Sequence, residues 1–227
     1  MYKVVEIFQS IEGEGKRAGR PATFIRLAGC NLRCRWCDTT YALFGEKEEC
    51  KYTEMSLDDI LNRQIKPAVT ITGGEPLIAD GIVELTDELL RMGHEVNIET
   101  NGAADIMEFM RDLNIHDEDK LFFTIDYKLP SSNEEDKMLW SNFESLMPWD
   151  VVKFVVADDN DFDKMIEIVE KLKRLYADMP IIYINAVFGE YDLKKLAERI
   201  TKEPILENAH MGLQIHKVIW DPKKRGV

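Results

Sequence analysis

The amino-acid sequence predicts an α/β fold, a partial and laterally open (β/α)6 barrel with an N-terminal extension. Short runs rich in β-branched and other apolar residues alternate with helical patterns, which is typical of a parallel sheet. The 227 residues, 45% of them hydrophobic, are enough to bury one substantial core. No linker or low-complexity stretch interrupts the sequence, so we expect residues 1–227 to form a single domain.

Six runs are predicted as strands because they are short, apolar and bounded by turn residues. They are Ala22–Ala28, Ala68–Thr72, Glu95–Thr100, Leu121–Asp126, Val151–Val156 and Ile181–Val187. The segments Ser56–Lys66 and Asp161–Ala177 have the apolar spacing of helices. The second segment places Phe162, Met165, Ile166, Val169, Leu172 and Tyr176 on one face, which indicates core packing. Six βα units are too few for a closed eight-stranded barrel, and a doubly wound sheet is the alternative.

The unusual sequences of the chain follow the predicted strands. GCNLRCRWCDT comes after the first strand, TGGEP after the second, ETNG after the third and DYK after the fourth. Because α/β folds bind ligands at the carboxyl ends of parallel strands, these segments are expected to meet at one site.

Composition excludes several classes of function. With 29 basic and 42 acidic residues the net charge is −13, which opposes extended binding to nucleic acid. The N-terminal segment does not resemble a signal peptide, and no stretch approaches the length of about 18 uncharged apolar residues needed to span a membrane. We therefore expect a cytoplasmic protein, in which clustered cysteines are metal ligands or redox groups more often than disulfides.

Three of the four cysteines, Cys30, Cys34 and Cys37, are spaced as C-x3-C-x2-C. A structural zinc site needs four protein ligands, and neither Cys50 nor any histidine lies at a usual spacing. An iron-sulfur cluster held by three thiolates leaves one iron open for a small molecule. Zinc with a distant fourth ligand and a Cys34–Cys37 redox pair remain alternatives at this point.

The cysteine motif, with Gly29 before it and Trp36 within it, is followed by Thr72-Gly73-Gly74-Glu75-Pro76 and resembles the radical S-adenosylmethionine (SAM) superfamily. TGGEP alone would also fit an ordinary strand-to-helix turn. The resemblance implies a barrel of radical SAM type and a 4Fe-4S cluster on the three cysteines. It also implies SAM as the ligand of the open iron, which leaves Cys50 as an ordinary surface or loop thiol.

Within the superfamily, the chain resembles the 7-carboxy-7-deazaguanine synthase (QueE) family. The similarity is carried by FQSIEGEG from Phe8, by Gly19-Arg20-Pro21, by Phe24–Cys30 and by the tail Gln214–Lys217. It implies a lyase that converts 6-carboxy-5,6,7,8-tetrahydropterin to 7-carboxy-7-deazaguanine and ammonia for queuosine and other 7-deazapurines. The implied reaction begins with hydrogen abstraction at C6 and proceeds by ring contraction.

The same resemblance implies the site residues. Substrate would contact Ile11, Glu12, Gly13, Arg26, Thr72 and Val227. SAM would contact Trp36, Cys37, Asp38, Gly74, Glu75, Asp126, Tyr127 and Lys128, and Thr39 would bind Mg²⁺. Two positions depart from the family pattern: Glu12 stands where many members have Gln, and Asp126-Tyr127-Lys128 replaces S-P-K.

The family also implies a homodimer and a flavodoxin or ferredoxin-type reductant. Basic residues surround the cysteine loop and could attract such an acidic donor, namely Lys16, Arg17, Arg20, Arg26, Arg33 and Arg35. The acidic run Glu46–Glu49 is interpreted as solvated. The four histidines, His94, His116, His210 and His216, are interpreted as surface or packing residues.

Two other functions remain open from the sequence. An activase that installs a glycyl radical on a partner protein would share GCNLxC and CDT with this chain. A non-catalytic iron-sulfur electron carrier would not need TGGEP or six βα units. The EGEG segment and Arg26 favour the ring-contracting enzyme.

Overall fold

The computed structural model describes residues 1–45, 49–114, 120–222 and 224–227. The strands are β1 (Tyr2–Ile11), β2 (Pro21–Leu27), β3 (Thr53–Met55), β4 (Ala68–Gly73), β5 (Glu95–Thr100), β6 (Leu121–Tyr127), β7 (Val151–Val156), β8 (Ile181–Ala186) and β9 (His210–Met211). They form one sheet in the order β3-β1-β2-β4-β5-β6-β7-β8-β9. Over the described residues the order is linear, which confirms the partial, open barrel.

The six predicted strands are β2 and β4 to β8, and each agrees with its prediction to within one residue at either end. These strands and β9 run parallel. The N-terminal extension is itself a strand, because β1 pairs antiparallel with both β2 and β3.

The helices are α1 (Leu57–Leu61), α2 (Ile82–Arg91), α3 (Ile106–Asp112), α4 (Trp140–Phe143), α5 (Asp159–Leu175), α6 (Leu193–Lys202) and α7 (Ile215–Ile219). None of the described helices is long and apolar enough to cross a membrane. Helix α1 is shorter than the predicted Ser56–Lys66. A capping box between Ser56 and Asp59 starts the helix. Beyond its end, Pro67 disfavours helical geometry at Lys66, the last residue of the predicted segment.

Helix α5 buries most of the predicted face. Phe162, Met165, Val169 and Leu172 are buried, and Ile168 joins them. The predicted Ile166 and Tyr176 are only partly buried, although both pack against the core. The side chain of Asp158 caps the start of the helix by accepting a hydrogen bond from the N–H of Asp161.

Alternation along the strands separates an apolar face from a polar one. Val69 and Ile71 of β4 belong to a hydrophobic cluster that extends from Tyr2 to Leu206, whereas the intervening Thr70 faces the other way. The same alternation places polar side chains inside the barrel from β5 to β8, namely Asn97, Glu99, Thr124, Asp126, Lys153 and Asn185. The barrel interior is therefore built to contact polar ligands.

Candidate functional site

A cavity of about 760 Å³ opens at the carboxyl ends of the parallel strands. It brings together most of the predicted site residues: Ile11, Glu12, Gly13, Arg26, Cys30, Cys34, Trp36, Cys37, Asp38, Thr39, Thr72, Gly74, Asp126, Lys128 and Val227. Its size is within the range of sites that bind small molecules and cofactors.

The predicted side chains of Glu75 and Tyr127 lie outside this cavity. Glu75 is buried behind it, where its carboxylate accepts hydrogen bonds from the Thr100 hydroxyl at 2.8 Å and from the Asn101 N–H at 2.6 Å. Burial raises the pKa of Glu75 to about 7 despite these bonds. Tyr127 packs between Phe143 and Phe154. The side chains of both residues therefore hold the strand ends, and their contact with SAM stays a prediction for their backbones.

The three motif cysteines are partly buried, unpaired thiols at one end of the cavity. Burial raises the pKa of Cys34 to about 11; Lys128 opposes this shift, whereas Asp126, Cys37 and Cys30 add to it. The thiols are therefore close enough to influence one another. Within the described residues, no three His, Cys, Asp or Glu side chains form a site for a single metal ion. The three thiols line one cavity, and a 4Fe-4S cluster on them stays the prediction of the cysteine motif.

Cys50 does not line the cavity and is buried in the loop before β3. Its position agrees with the predicted surface or loop thiol, since it lies in a loop. Glu49, the one residue of the run Glu46–Glu49 within the described residues, is exposed.

Two glycines let the TGGEP turn pack directly on the cysteine loop. A Cβ atom on Gly74 would lie 2.0 Å from the carbonyl oxygen of Gly29, and one on Gly73 would lie 2.1 Å from that of Leu27. The N–H of Gly74 donates to Leu27 O at 3.1 Å. A side chain at either position would push the turn away from the cysteine loop. The two glycines therefore keep the turn beside the thiols, where it can hold a ligand.

A chain of buried charges forms the wall next to the cysteines. Lys128 Nζ lies 2.6 Å from Asp126 Oδ2, and Lys153 Nζ lies 3.3 Å from Asp126 Oδ1 and 2.9 Å from Glu14 Oε2. Burial alone would raise the pKa of Asp126, but the two lysines hold it below its usual value. The sequence prediction missed Lys153, although a lysine within the apolar run VVKFVV was a signal for a buried ion pair.

Asn185 is a second residue that the sequence prediction missed. It is 2% exposed and lines the cavity, yet neither atom of its side-chain amide has a hydrogen-bond partner among the described residues. Buried amides are normally satisfied, so this one fits a bound ligand. Its signal in the sequence was a lone asparagine at the end of an apolar strand.

Arg26 also lines the cavity. Its Nε donates to Glu6 Oε1 at 2.8 Å, and the Tyr41 hydroxyl donates to the same oxygen at 3.0 Å. The Arg225 guanidinium stacks on Tyr41 with its central carbon 3.9 Å from the ring centroid, and Val227 lines the cavity beyond it. The chain end therefore folds into the site.

The cysteine loop is also tied to the C-terminal segment. Thr39 donates to Asp38 Oδ1 at 3.0 Å, and Lys217 donates to Asp38 Oδ2 at 2.8 Å. Enclosure by the cavity opposes ionisation of Asp38, but Lys217 and Thr39 hold its pKa at about 2. The N–H of Ile215 donates to Gly13 O at 3.1 Å.

Of the histidines, His216 packs on Gly13, as expected for a packing residue, and it also lines the cavity. Burial lowers the pKa of His216. His94 contacts the Lys66 carbonyl and His210 stacks on Tyr183, as expected for surface or packing residues. His116 lies outside the described residues.

The predicted basic surface near the cysteines is largely neutralised. Arg20 pairs with Glu95 at 2.6 Å, Arg35 pairs with Glu190 at 2.7 Å, and Arg17 is buried. Together with the Arg26–Glu6 pair, these contacts leave little uncompensated positive charge to attract an acidic donor.

The fold and the site define a radical SAM protein. The family model of the Radical SAM superfamily matches residues 24–200, so the chain belongs to that superfamily, whose members use a 4Fe-4S cluster and SAM. A 7-carboxy-7-deazaguanine synthase of Clostridium acetobutylicum is 43% identical over 231 residues, covering 100% of this chain and 99% of the relative. One of Leptospira interrogans is 36% identical, covering 99% and 97%.

The crystal structure of QueE from Escherichia coli matches with a TM-score of 0.70 at 26% identity, covering 92% of each chain. The chain therefore belongs to the 7-carboxy-7-deazaguanine synthase family, as the sequence motifs predicted.

Proposed function

We propose that this chain is a radical SAM lyase that converts 6-carboxy-5,6,7,8-tetrahydropterin to 7-carboxy-7-deazaguanine and ammonia in queuosine and 7-deazapurine biosynthesis. The proposal is carried by one observation: the three motif thiols, the TGGEP turn and Arg26 all line the same cavity of about 760 Å³. Full-length similarity to named synthases supports the same reaction.

Cys30, Cys34 and Cys37 would bind the cluster. Contacts to SAM would come from Trp36, Asp38, Gly74, Asp126 and Lys128, with backbone contacts at Cys37, Glu75 and Tyr127. When bound, the cluster and SAM supply a reducing electron and a 5′-deoxyadenosyl radical. Gly74 lets the turn pack against Gly29 beside Cys30, and the Asp126–Lys128 pair fixes the wall of the cavity. The unpartnered amide of Asn185 is available to the same ligands.

Arg26 would bind the carboxylate of the substrate, because Glu6 holds its Nε and no other described residue hydrogen-bonds its remaining guanidinium nitrogens. Acceptors at Ile11, Glu12 and Gly13 would meet the amino-pyrimidine edge of the pterin, and Thr72 and Val227 would complete the pocket. Thr39 would bind a Mg²⁺ ion that aligns the same carboxylate. The protein would thus hold the C6 hydrogen of the substrate in position and exclude water from the site.

We further propose that the protein acts as one domain, which the continuous hydrophobic cluster from Tyr2 to Leu206 supports. The family resemblance supports a homodimer, a flavodoxin or ferredoxin-type reductant and a cytoplasmic location.

The test is anaerobic reconstitution with iron and sulfide, followed by mixing with SAM, dithionite and the carboxypterin. Mass spectrometry should detect 7-carboxy-7-deazaguanine together with 5′-deoxyadenosine and methionine. SAM cleavage without pterin conversion, or a glycyl radical on a partner protein, would favour the activase instead. Absence of any SAM cleavage by the reconstituted protein would favour the electron carrier.

A further inference from the structure

Arg17 is buried behind Glu12, which lines the cavity, although Arg17 follows a charged, glycine-rich segment. Its side chain is 4% exposed. One terminal nitrogen donates to Glu12 Oε1 at 2.6 Å, to Thr70 Oγ1 at 2.6 Å and to Val69 O at 3.0 Å. The other donates to Glu95 O at 3.0 Å. Five donors in a planar fork allow this residue to contact several partners at once.

Glu12 is the partner of Arg17 that faces the ligand. It lines the cavity and is 2% exposed, whereas Arg17 does not line the cavity within the described part of the chain. The Thr70 hydroxyl also donates to Glu12 Oε1. Among the described residues, every hydrogen bond to this carboxylate ends on Oε1, which leaves Oε2 as an acceptor for a bound molecule.

We propose that Arg17 is a positioning residue that fixes Glu12 as an acceptor for the N–H groups on the amino-pyrimidine edge of the substrate. This inference rests on the proposed function. A carboxylate accepts hydrogen bonds and cannot donate them, so it selects a pterin edge that donates and rejects one that presents a carbonyl. Specificity at this edge therefore depends on a residue that does not touch the substrate.

Two charged groups act on Glu12 from different elements. Burial raises the pKa of Glu12, Glu99 of β5 raises it further, and Arg17 and Thr70 lower it. Loss of Arg17 would therefore raise the pKa of Glu12 further and shift the group toward the protonated carboxyl, in which an O–H donor replaces an acceptor. Higher pH should restore the acceptor.

The test compares Arg17→Met with Arg20→Met. Arg20 is exposed, and its guanidinium pairs with the Glu95 carboxylate, which also lies 3.6 Å from a terminal nitrogen of Arg17. The contact of Arg20 with Glu12 is made by its backbone carbonyl, which the substitution keeps. With dithionite as reductant, Arg17→Met should raise KM for the carboxypterin by about ten- to a hundredfold at pH 7, with a smaller change in kcat. This KM should fall toward the wild-type value as pH rises. Arg20→Met should match the wild type throughout.

Glu12→Gln supplies an independent arm. Its amide oxygen should stay on Arg17 and point the NH2 group into the cavity, so binding of carboxypterin measured by anaerobic calorimetry should weaken without pH dependence. The double variant Glu12→Gln/Arg17→Met frees the amide to turn its oxygen inward and should bind better than either single variant. An analogue with a carbonyl in place of the 2-amino group should be rejected by the wild type and discriminated less by both single variants.

The outcomes separate this inference from the proposed function. If the wild type does not convert carboxypterin, the proposed function fails. If it does, and Arg17→Met shows wild-type KM or a KM increase that is independent of pH, the positioning role is overturned. Should thermal unfolding show that Arg17→Met does not fold, Glu12→Gln decides: unchanged substrate affinity and unchanged discrimination would refute the proposal.

Discussion

The N–H of Glu75 donates a hydrogen bond to the carbonyl oxygen of Gly29 at 2.8 Å, which joins the TGGEP turn to the first residue of the cysteine loop. The two motifs are far apart in the sequence and follow adjacent parallel strands, β2 and β4. This contact requires a close approach of two backbones. Stability of the loop and binding of SAM should therefore respond together to changes at the turn.

Gly74→Ala tests this coupling. The new Cβ would lie 2.0 Å from Gly29 O, which is backbone and cannot rotate away. We expect loss of SAM binding, measured by calorimetry. We also expect poor cluster loading, measured by the absorbance of the iron-sulfur charge-transfer bands. Gly93→Ala is the control, because its positive φ of 88° imposes strain without any clash. Equal SAM affinity in the two variants would contradict the coupling.

Each motif cysteine should be essential for the cluster. Ala at Cys30, Cys34 or Cys37 removes one thiolate that no neighbour replaces, so both the brown chromophore and SAM cleavage should disappear. Cys50→Ala should keep both and cost on the order of 1 kcal/mol in unfolding free energy, since this thiol is buried. Loss of the chromophore in the Cys50 variant would overturn the three-ligand assignment.

Thr39→Ala should separate magnesium from the cluster. The variant should load iron and bind SAM normally but lose the acceleration by Mg²⁺, since misplacement of a substrate by about 1 Å can reduce the rate by about a hundredfold. Turnover is measured with and without Mg²⁺, and Thr40→Ala serves as the neighbouring control. A normal metal response in Thr39→Ala would place the ion elsewhere.

Lys153→Met should destabilise the fold through the buried charges. It leaves Glu14 and Asp126 without this partner, and removing one member of a buried pair costs roughly 3–5 kcal/mol. Because the pKa of folded Asp126 is lowered, wild-type stability from this group is present above about pH 4 and is lost as pH falls further. The difference in unfolding free energy between wild type and variant should therefore be large at pH 7 and shrink in acid. A difference that is constant across pH would contradict the ionic origin.

The sequence predicted the strands well because their alternation and apolar content are local properties. The residues that it missed depend on contacts between distant elements. Lys153 within VVKFVV and Asn185 at the end of an apolar strand carry a signal of burial in the sequence, but that signal does not name their partners. Arg17 looks like an ordinary charged residue until the fold buries it beside Glu12. Only the fold shows that Lys153 pairs with Asp126 and that no described side chain satisfies the amide of Asn185. For the same reason, Glu75 and Tyr127 could be placed near the site by motif but not oriented within it.

Substrate carrying deuterium at C6 tests the proposed reaction most directly. One cavity contains the thiols, the TGGEP turn and Arg26, so a pterin anchored by its carboxylate on Arg26 would lie beside the SAM site. After turnover with SAM and dithionite, mass spectrometry should find the deuterium in 5′-deoxyadenosine, with 7-carboxy-7-deazaguanine formed. Product formation with the label absent from 5′-deoxyadenosine, or label transfer with no deazaguanine, would contradict the proposed reaction.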